Sequence, residues 1–93
     1  MPKEQNFKVT EYESFDPTSS VRYTTVKAKN INDGIKKFLD LKSTDDSKYI
    51  LCSILQTGEF KVPFKHFTFG ERKRTHVSEY VTNVCCARIE QTK

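Results

Sequence analysis

The stretch that decides the fold is residues 30–42, NINDGIKKFLDLK. Its apolar residues recur at the spacing of one helix face, and they are Ile31, Ile35, Phe38 and Leu39. Asn30 is a residue type that favours the N-cap, and Asp33 falls at the positive end of the helix dipole. Gly34 costs about 1 kcal/mol against alanine inside a helix, so packing must hold this element together. The segment predicts an amphipathic helix.

Segments typical of β-strands flank this helix on both sides. Before it, residues 7–12 (FKVTEY) alternate apolar and polar side chains, and residues 21–29 (VRYTTVKAK) do so with a change of parity. A β-bulge near Thr24 and Thr25 would account for that change. After the helix, residues 49–55 (YILCSIL) are apolar on both parities, which is typical of a central strand covered on both faces.

The next strand-like segment is rich in phenylalanine. Residues 60–64 (FKVPF) place three apolar side chains on one face, and Pro63 cannot donate a backbone hydrogen bond, which predicts a strand at a sheet edge. Residues 67–69 (FTF) continue the aromatic pattern with the opposite parity. We therefore expect a bend or bulge at Lys65 and His66.

The last segment, residues 77–90, fits two kinds of element. A helical stripe would contain Val77, Tyr80, Val81, Val84 and Cys85, whereas the β-branched and cysteine content is typical of a strand. Arg88 falls where the helical stripe should continue. A strand parity is shared by Val81, Cys85, Ala87 and Ile89. We therefore favour a strand over a helix.

Together these segments predict an α+β fold with the order β-β-α-β-β-β. We expect a small antiparallel sheet of about four to five strands with one helix packed on one face. The 93 residues form one domain, with an ordered core of about residues 6–90. Because one helix covers only one face of the sheet, the other face should carry exposed side chains and serve as a binding surface or a homodimer interface.

Composition bears on location and on cofactors. No apolar run is long enough to span a bilayer and the start of the chain lacks a signal-peptide pattern, so we expect a cytoplasmic protein that does not enter a membrane. The three cysteines, Cys52, Cys85 and Cys86, are an odd number with two adjacent, which favours reduced thiols. The cysteines and histidines lack the spacing of a zinc site, so we expect no metal and no other cofactor.

All of the formal net charge of the chain lies in residues 60–76, FKVPFKHFTFGERKRTH, which we call the basic segment. It contains five basic residues and one acidic residue, a net charge of +4, and the rest of the chain contains eleven of each. Phenylalanines beside such a charge cluster have the chemistry of a surface for single-stranded nucleic acid, since rings stack on bases and cations neutralise phosphates.

Candidate binding residues follow from that chemistry. Phe67 and Phe69 would stack on bases, and Arg72, Lys73 and Arg74 would hold phosphates. The track would be extended by Lys61, Lys65, His66 and His76. The alternative is that the phenylalanines are core residues and the charges form a solvated turn.

The arrangement of residues 7–55, from FKVTEY through the helix to YILCSIL, resembles a layout of many small proteins of bacteriophages and other mobile elements. That resemblance implies a protein that acts by binding, for example as an inhibitor or adaptor of a host protein. We predict a non-catalytic protein that contacts an acidic protein surface, with no catalytic residues. The first alternative is nucleic-acid binding through the basic segment. The second is a small RNA-cleaving enzyme using His66 or His76.

Overall fold

The computed structural model of the chain describes residues 3–12, 20–59 and 61–92. The elements are strands β1 (Gln5–Tyr12) and β2 (Ser20–Ala28), helix α1 (Ile31–Lys42), and strands β3 (Lys48–Glu59), β4 (Pro63–Arg74) and β5 (Glu79–Gln91). The five strands form one antiparallel sheet, and the helix packs on one of its faces. The predicted α+β fold and its element order are confirmed, and so is the assignment of the last segment as a strand.

Helix α1 begins as its sequence predicts. The side chain of Asn30 accepts a hydrogen bond from the backbone N–H of Asp33 at 2.8 Å, and the carboxylate of Asp33 accepts one from the N–H of Lys29 at 3.0 Å. The first bond satisfies a backbone donor that the first turn leaves unpaired, and the second joins the residue before the cap to the helix. The helix ends at Ser43, whose N–H donates to the carbonyl of Leu39.

The sheet order is β2-β1-β5-β4-β3, so β5 lies in the centre between β1 and β4. This order corrects two predictions. Strand β4, which Pro63 predicted at an edge, lies inside the sheet. Pro63 is compatible with this position because it is the first residue of the strand, where no backbone N–H is needed for pairing. Strand β3, expected to be central and covered, is an edge strand whose residues 51–59 are all exposed.

The irregularities of the sheet also differ from expectation. The β1–β2 pairing is continuous through Thr24 and Thr25 and shifts only at Tyr12, so no bulge lies at those two threonines. Strand β4 has no extra residue at Lys65 and His66: its pairing with β5 is continuous there, and the register shift between His66 and Phe67 on the β3 side comes from an extra residue in β3. The changes of parity within β2 and β4 arise because apolar side chains occur on both sides of the sheet in each strand.

Two bulges occur in β3 and one in β5. In β3 the extra residues are Cys52 and Leu55. Neither has a paired residue in β4, because each is inserted between two β3 residues that pair with consecutive residues of β4. In β5 the shift falls beside Asn83, whose φ of 54° is in the left-handed region that asparagine tolerates. Opposite it, Gly70 leaves no room for a side chain, since a Cβ there would lie 2.5 Å from Val81 Cγ1.

The hydrophobic core lies between α1 and the sheet. The largest fully buried side chains are Phe7, Val9, Phe38, Phe67, Phe69 and Ile89. Phe38 of the helix meets Phe67 and Phe69 edge-on, with ring centroids 6.1 and 5.4 Å apart. Gly34 lets the helix approach β5 closely, because a Cβ at this position would lie 2.8 Å from Ile89 Cδ1. The helix glycine is therefore explained by packing.

A charged pair joins the helix end to the sheet. Lys42 Nζ lies 2.7 Å from Glu11 Oε1, and Glu11 is nearly buried on the helix side of β1. The ammonium group also lies over the rings of Phe38, Tyr49 and Phe69 at 5.4–5.9 Å from their centroids. The buried carboxylate thus has a cationic partner, as burial of a charge requires.

Two further findings bear on the composition. In the described residues, no helix is long and apolar enough to cross a membrane. All three cysteines carry free thiols: Cys52 is exposed, Cys85 is partly buried and Cys86 is buried. Burial raises the pKa of both Cys85 and Cys86 above the usual value, so these two thiols are poorly reactive.

Candidate functional site

The two phenylalanines expected to stack on bases are part of the core. Phe67 is 0% exposed and Phe69 is 1% exposed, and both pack against Phe38 of α1. Their ring faces are not available to a ligand, so the prediction that they stack on bases is wrong. Phe67 and Phe69 therefore belong to the helix side of the sheet.

The cations at the end of β4 have acidic partners. Arg72 and Arg74 both pair with Glu79 across the turn to β5, the second with 3.5 Å between Arg74 Nη2 and Glu79 Oε2. The hydrogen bond from Arg72 lowers the pKa of Glu79. Lys73 pairs with Glu71, which raises the pKa of Lys73. Two carboxylates therefore offset most of the charge of these three cations.

The remaining candidates do not converge on one surface. Lys65 donates to the side chain of Asn32 at the start of α1, so it lies on the helix side of the sheet. His66, its neighbour, points to the opposite side, and His76 is exposed in the turn after β4. Lys61 is exposed before β4, and Phe60 lies outside the described residues. The basic segment is therefore divided between the two sides of the sheet and its turns.

The side of the sheet away from α1 carries a cluster that the sequence reading missed. We call this side the open face, and its cluster consists of Lys8, Tyr12, Tyr23, Phe64, His66 and Arg88. Their neighbours Val9, Phe67 and Ala87 point into the core, so these side chains point away from it. The pairing aligns Tyr23, Thr10, Arg88 and His66 in one row across four strands.

Aromatic and cationic groups of the open face contact one another. The rings of Tyr12 and His66 are stacked with centroids 6.3 Å apart, and Phe64 meets His66 edge-on at 5.7 Å. The Arg88 guanidinium lies 4.6 Å from the Phe64 centroid, and Lys8 Nζ lies 4.6 Å from that of Tyr23. This surface combines flat rings with positive charge.

Partial burial changes the titration of two of these groups. Burial raises the pKa of Tyr12 above its usual value. For His66, burial first and the nearby Arg88 charge second lower the pKa. His66 is therefore held in its neutral form at neutral pH, where a neutral imidazole stacks as an aromatic ring.

The second unusual surface is the outer edge of β3. Among the described residues only β4 pairs with this strand, and the apolar side chains of Leu51, Ile54 and Leu55 are exposed along it, Leu55 to 57%. A groove of about 290 Å³ runs between this edge and α1, lined by Ile35, Leu39, Tyr49 and Leu51 among others. We call this strand with its groove the β3 edge.

A residue signal for the open face exists in the sequence. Tyr23 and Phe64 stand out of phase with the core residues Val26 and Phe67 of the same strands. Aromatic residues at positions that alternate with the core residues are expected on an exposed face. This signal can be used only when the core-facing positions of each strand are known.

The two histidines do not form a catalytic pair. His66 lies in the middle of β4, and roughly 26 Å of extended strand lies between it and the end of β4, after which His76 follows. General acid-base cleavage by two histidines needs both within reach of one substrate atom. No group of three or more potential metal ligands occurs in the part of the chain that the structure describes.

Comparison with models of protein families, with curated proteins and with solved structures finds no match for this chain. The features of the molecule that bear on its function are the open face and the β3 edge.

Proposed function

We propose that this chain is a small non-catalytic binding protein that acts through protein–protein contact, and that the β3 edge is its contact surface. The observation that supports this proposal is the exposure of Leu51, Ile54 and Leu55 along a strand with a free edge. Natural edge strands are usually short, charged or covered, because a free edge with apolar side chains pairs with other chains. A long apolar edge is consistent with a partner that covers it.

The geometry of β3 favours a particular kind of contact. The strand has twelve residues, roughly 40 Å, and its bulges at Cys52 and Leu55 interrupt the edge in the middle. Regular edge remains at residues 48–51 and 56–59. A partner strand can add backbone hydrogen bonds there, while the exposed leucines and isoleucine supply apolar anchors between them.

The positive charge of the chain indicates that the partner carries acidic residues. The chain has a formal net charge of +4, and the exposed Lys48 lies at the start of β3. On the helix side of the groove the exposed Lys36 is accompanied by Asp40. Opposite charge speeds encounter and disfavours wrong partners. We propose a partner with an apolar extended segment flanked by acidic residues. An inhibitor or adaptor of a host protein, as in small proteins of mobile elements, would act in this way.

The proposal is tested by substituting one exposed leucine. Leu55→Glu places a charge in the centre of the β3 edge and should abolish stoichiometric capture of a partner from nuclease-treated lysate. Because Leu55 is exposed, the variant should unfold at the same denaturant concentration as the parent protein. Leu41→Glu is the matched control, because Leu41 is 67% exposed on α1 and away from β3. The control should capture the same partner.

The purified protein must also be tested for self-association. If sedimentation shows a dimer that Leu55→Glu converts to a monomer, the β3 edge is occupied by a second copy of the chain. That result would replace the foreign partner with a homodimer. Equal capture by the parent protein and by Leu55→Glu would contradict the proposal, because the partner would then contact another surface.

The RNA-cleaving alternative draws no support from the positions of His66 and His76. Nucleic-acid binding through the basic segment is also not favoured, because Phe67 and Phe69 are buried and the three cations at 72–74 pair with carboxylates. A different surface has the chemistry for nucleic acid.

A further inference from the structure

We propose that the open face of the sheet binds single-stranded nucleic acid, with the aromatic cluster stacking on bases and its cations contacting phosphates. The site is distinct from the β3 edge and shares only His66 with the nine candidate residues of the basic segment. The proposal therefore extends beyond the protein-binding function, and each surface can be tested without the other.

Aromatic rings are the first requirement for such a site. Tyr23 is 61% exposed on β2, and Tyr12, Phe64 and His66 are partly exposed on β1 and β4. Three strand spacings of about 4.8 Å separate β2 from β4, so rings are distributed over roughly 14 Å of the face. Bases of any sequence can stack on rings placed along a path of this kind.

Positive charge beside the rings is the second requirement. Lys8 and Arg88 lie within the cluster, and Lys27 is exposed on the same side of β2. The one carboxylate among them, Glu90, has its Oε2 3.5 Å from Arg88 Nη2. Three cations against one anion leave a net charge of +2 on this part of the face. Phosphates complement that charge.

Arg88 has unused hydrogen-bonding capacity. Its Nε atom is buried and has no hydrogen-bond partner among the described residues, while its guanidinium carbon lies over Phe64. Because Nε is buried, a ligand would meet the terminal Nη groups, of which Nη2 lies 3.5 Å from Glu90 Oε2. The remaining guanidinium donors suit a phosphate, which accepts two bonds from one arginine.

The rings and the cations act together in this arrangement. Lys8 and Arg88 each lie 4.6 Å from the centroid of an aromatic ring, so a nucleotide bound at either ring would have a cation near its phosphate. The carboxylates of an acidic protein surface would meet the charge but would not stack on the ring faces as bases do. The mixture therefore favours nucleic acid over an acidic protein as the occupant of the open face.

The experiment is fluorescence anisotropy with labelled oligo(dT) and oligo(U) of about 16 nucleotides, the upper end of typical site sizes. An abasic oligonucleotide of the same length carries the phosphates without the bases. Binding is measured at about 50 and 200 mM salt. Contacts from Lys8, Lys27 and Arg88 to three phosphates predict that affinity falls roughly 18-fold between these concentrations.

Two variants separate stacking from charge. Tyr23→Ala removes the most exposed ring and should weaken binding roughly 5- to 150-fold, the range measured for loss of one stacked base. Lys8→Ala removes one phosphate contact and should reduce the salt effect to roughly 7-fold. Two control variants each remove one positive charge outside the cluster: Arg74→Ala at the end of β4 and Lys36→Ala on α1. Both should bind the oligonucleotides as the parent protein does.

The outcomes decide the proposal. It is overturned if neither oligonucleotide binds at the lower salt, or if the abasic oligonucleotide binds as tightly as the others. It is also overturned if Tyr23→Ala has no effect while Arg74→Ala does, because the turn would then be the site. Leu55→Glu, which tests the protein-binding function, should leave nucleic-acid affinity unchanged. Preference for oligo(U) or oligo(dT) identifies the natural class of ligand.

Discussion

At the scale of single residues, the position of an aromatic side chain relative to the core decides its role. Phe67 and His66 are adjacent in β4, yet Phe67 fills the core under α1 while His66 stacks on Tyr12 on the open face. The sequence predicts alternation of the two side chains but not which of them faces the helix. For that reason the aromatic surface was expected at Phe67 and Phe69, and it lies instead on the other side of the same strand.

His66 gives a prediction for the effect of pH on stability. Because burial and Arg88 lower its pKa in the folded protein, the unfolded chain binds a proton at higher pH than the folded one. The free energy of unfolding should therefore fall as pH is lowered through about 6.5, the usual pKa of histidine, and stop falling below the folded pKa. Denaturant unfolding between about pH 7.5 and 5.5 measures this change.

The variant His66→Gln should remove most of this pH dependence. His76→Gln is the control, because His76 is exposed in the turn after β4, and it should retain the dependence of the parent protein. The lowered pKa values of Glu4, Asp33 and Glu79 affect stability only below about pH 4.5, outside the measured range. If His66→Gln keeps the full slope, another group is responsible.

At the scale of elements, the contact of α1 with β5 depends on the absence of a side chain at Gly34. Gly34→Ala gains up to about 1 kcal/mol of helix propensity, but its Cβ would lie 2.8 Å from Ile89 Cδ1 in a fully packed core. Overpacking of a core costs about 1–3 kcal/mol. We expect a net loss of about 1 kcal/mol in the free energy of unfolding, measured by urea denaturation.

A double-mutant cycle checks the cause of that loss. Ile89→Val removes the Cδ1 atom and by itself costs about 0.5–1.5 kcal/mol. In the Ile89→Val background, Gly34→Ala should become neutral or stabilising, because the close contact is gone and the helix propensity remains. An equal loss in both backgrounds would show that the close approach to Ile89 is not the reason for the glycine.

The bulges of β3 explain why its sequence predicted a central strand and not an edge strand. Apolar residues on both parities of YILCSIL indicated coverage on two faces, but the bulges at Cys52 and Leu55 change the parity within the strand. As a result, Tyr49, Leu51 and Ile54 all pair with β4 residues that point to the helix side. Bulges depend on the partner strand, and the sequence of β3 alone does not reveal them.

At the scale of the whole molecule, the sheet order predicts how protection from solvent is distributed. Residues 86–90 of β5 pair with both β1 and β4, so every backbone N–H there faces a partner strand, whereas half of those in β3 face away from β4. Amide hydrogen exchange by NMR should therefore be slowest near Ala87 and Ile89 and fast at alternate positions of residues 56–59. Strong protection along all of β3 would mean that a second copy covers the edge.

The sequence predicts the elements of this molecule better than their arrangement. The helix, the flanking strands and the α+β class follow from local periodicity and from the cap at Asn30. The order of strands depends on the β1–β5 pairing, which joins residues about eighty positions apart and leaves no local signal. Both candidate surfaces depend on that order, because it decides which strand is an edge and which rings share a row.

The central position of β5 also affects how the chain folds as it is synthesised. Strands β1 and β2 with α1 form one part of the sheet, β3 and β4 form another, and β5 is the strand that hydrogen-bonds to both. While residues 79–91 are still inside the ribosome, β1 and β4 each have an unpaired edge. The emerging chain would then be most prone to misassociation just before its last strand appears. The time that the ribosome takes to release residues 79–91 would set how long the two edges stay unpaired.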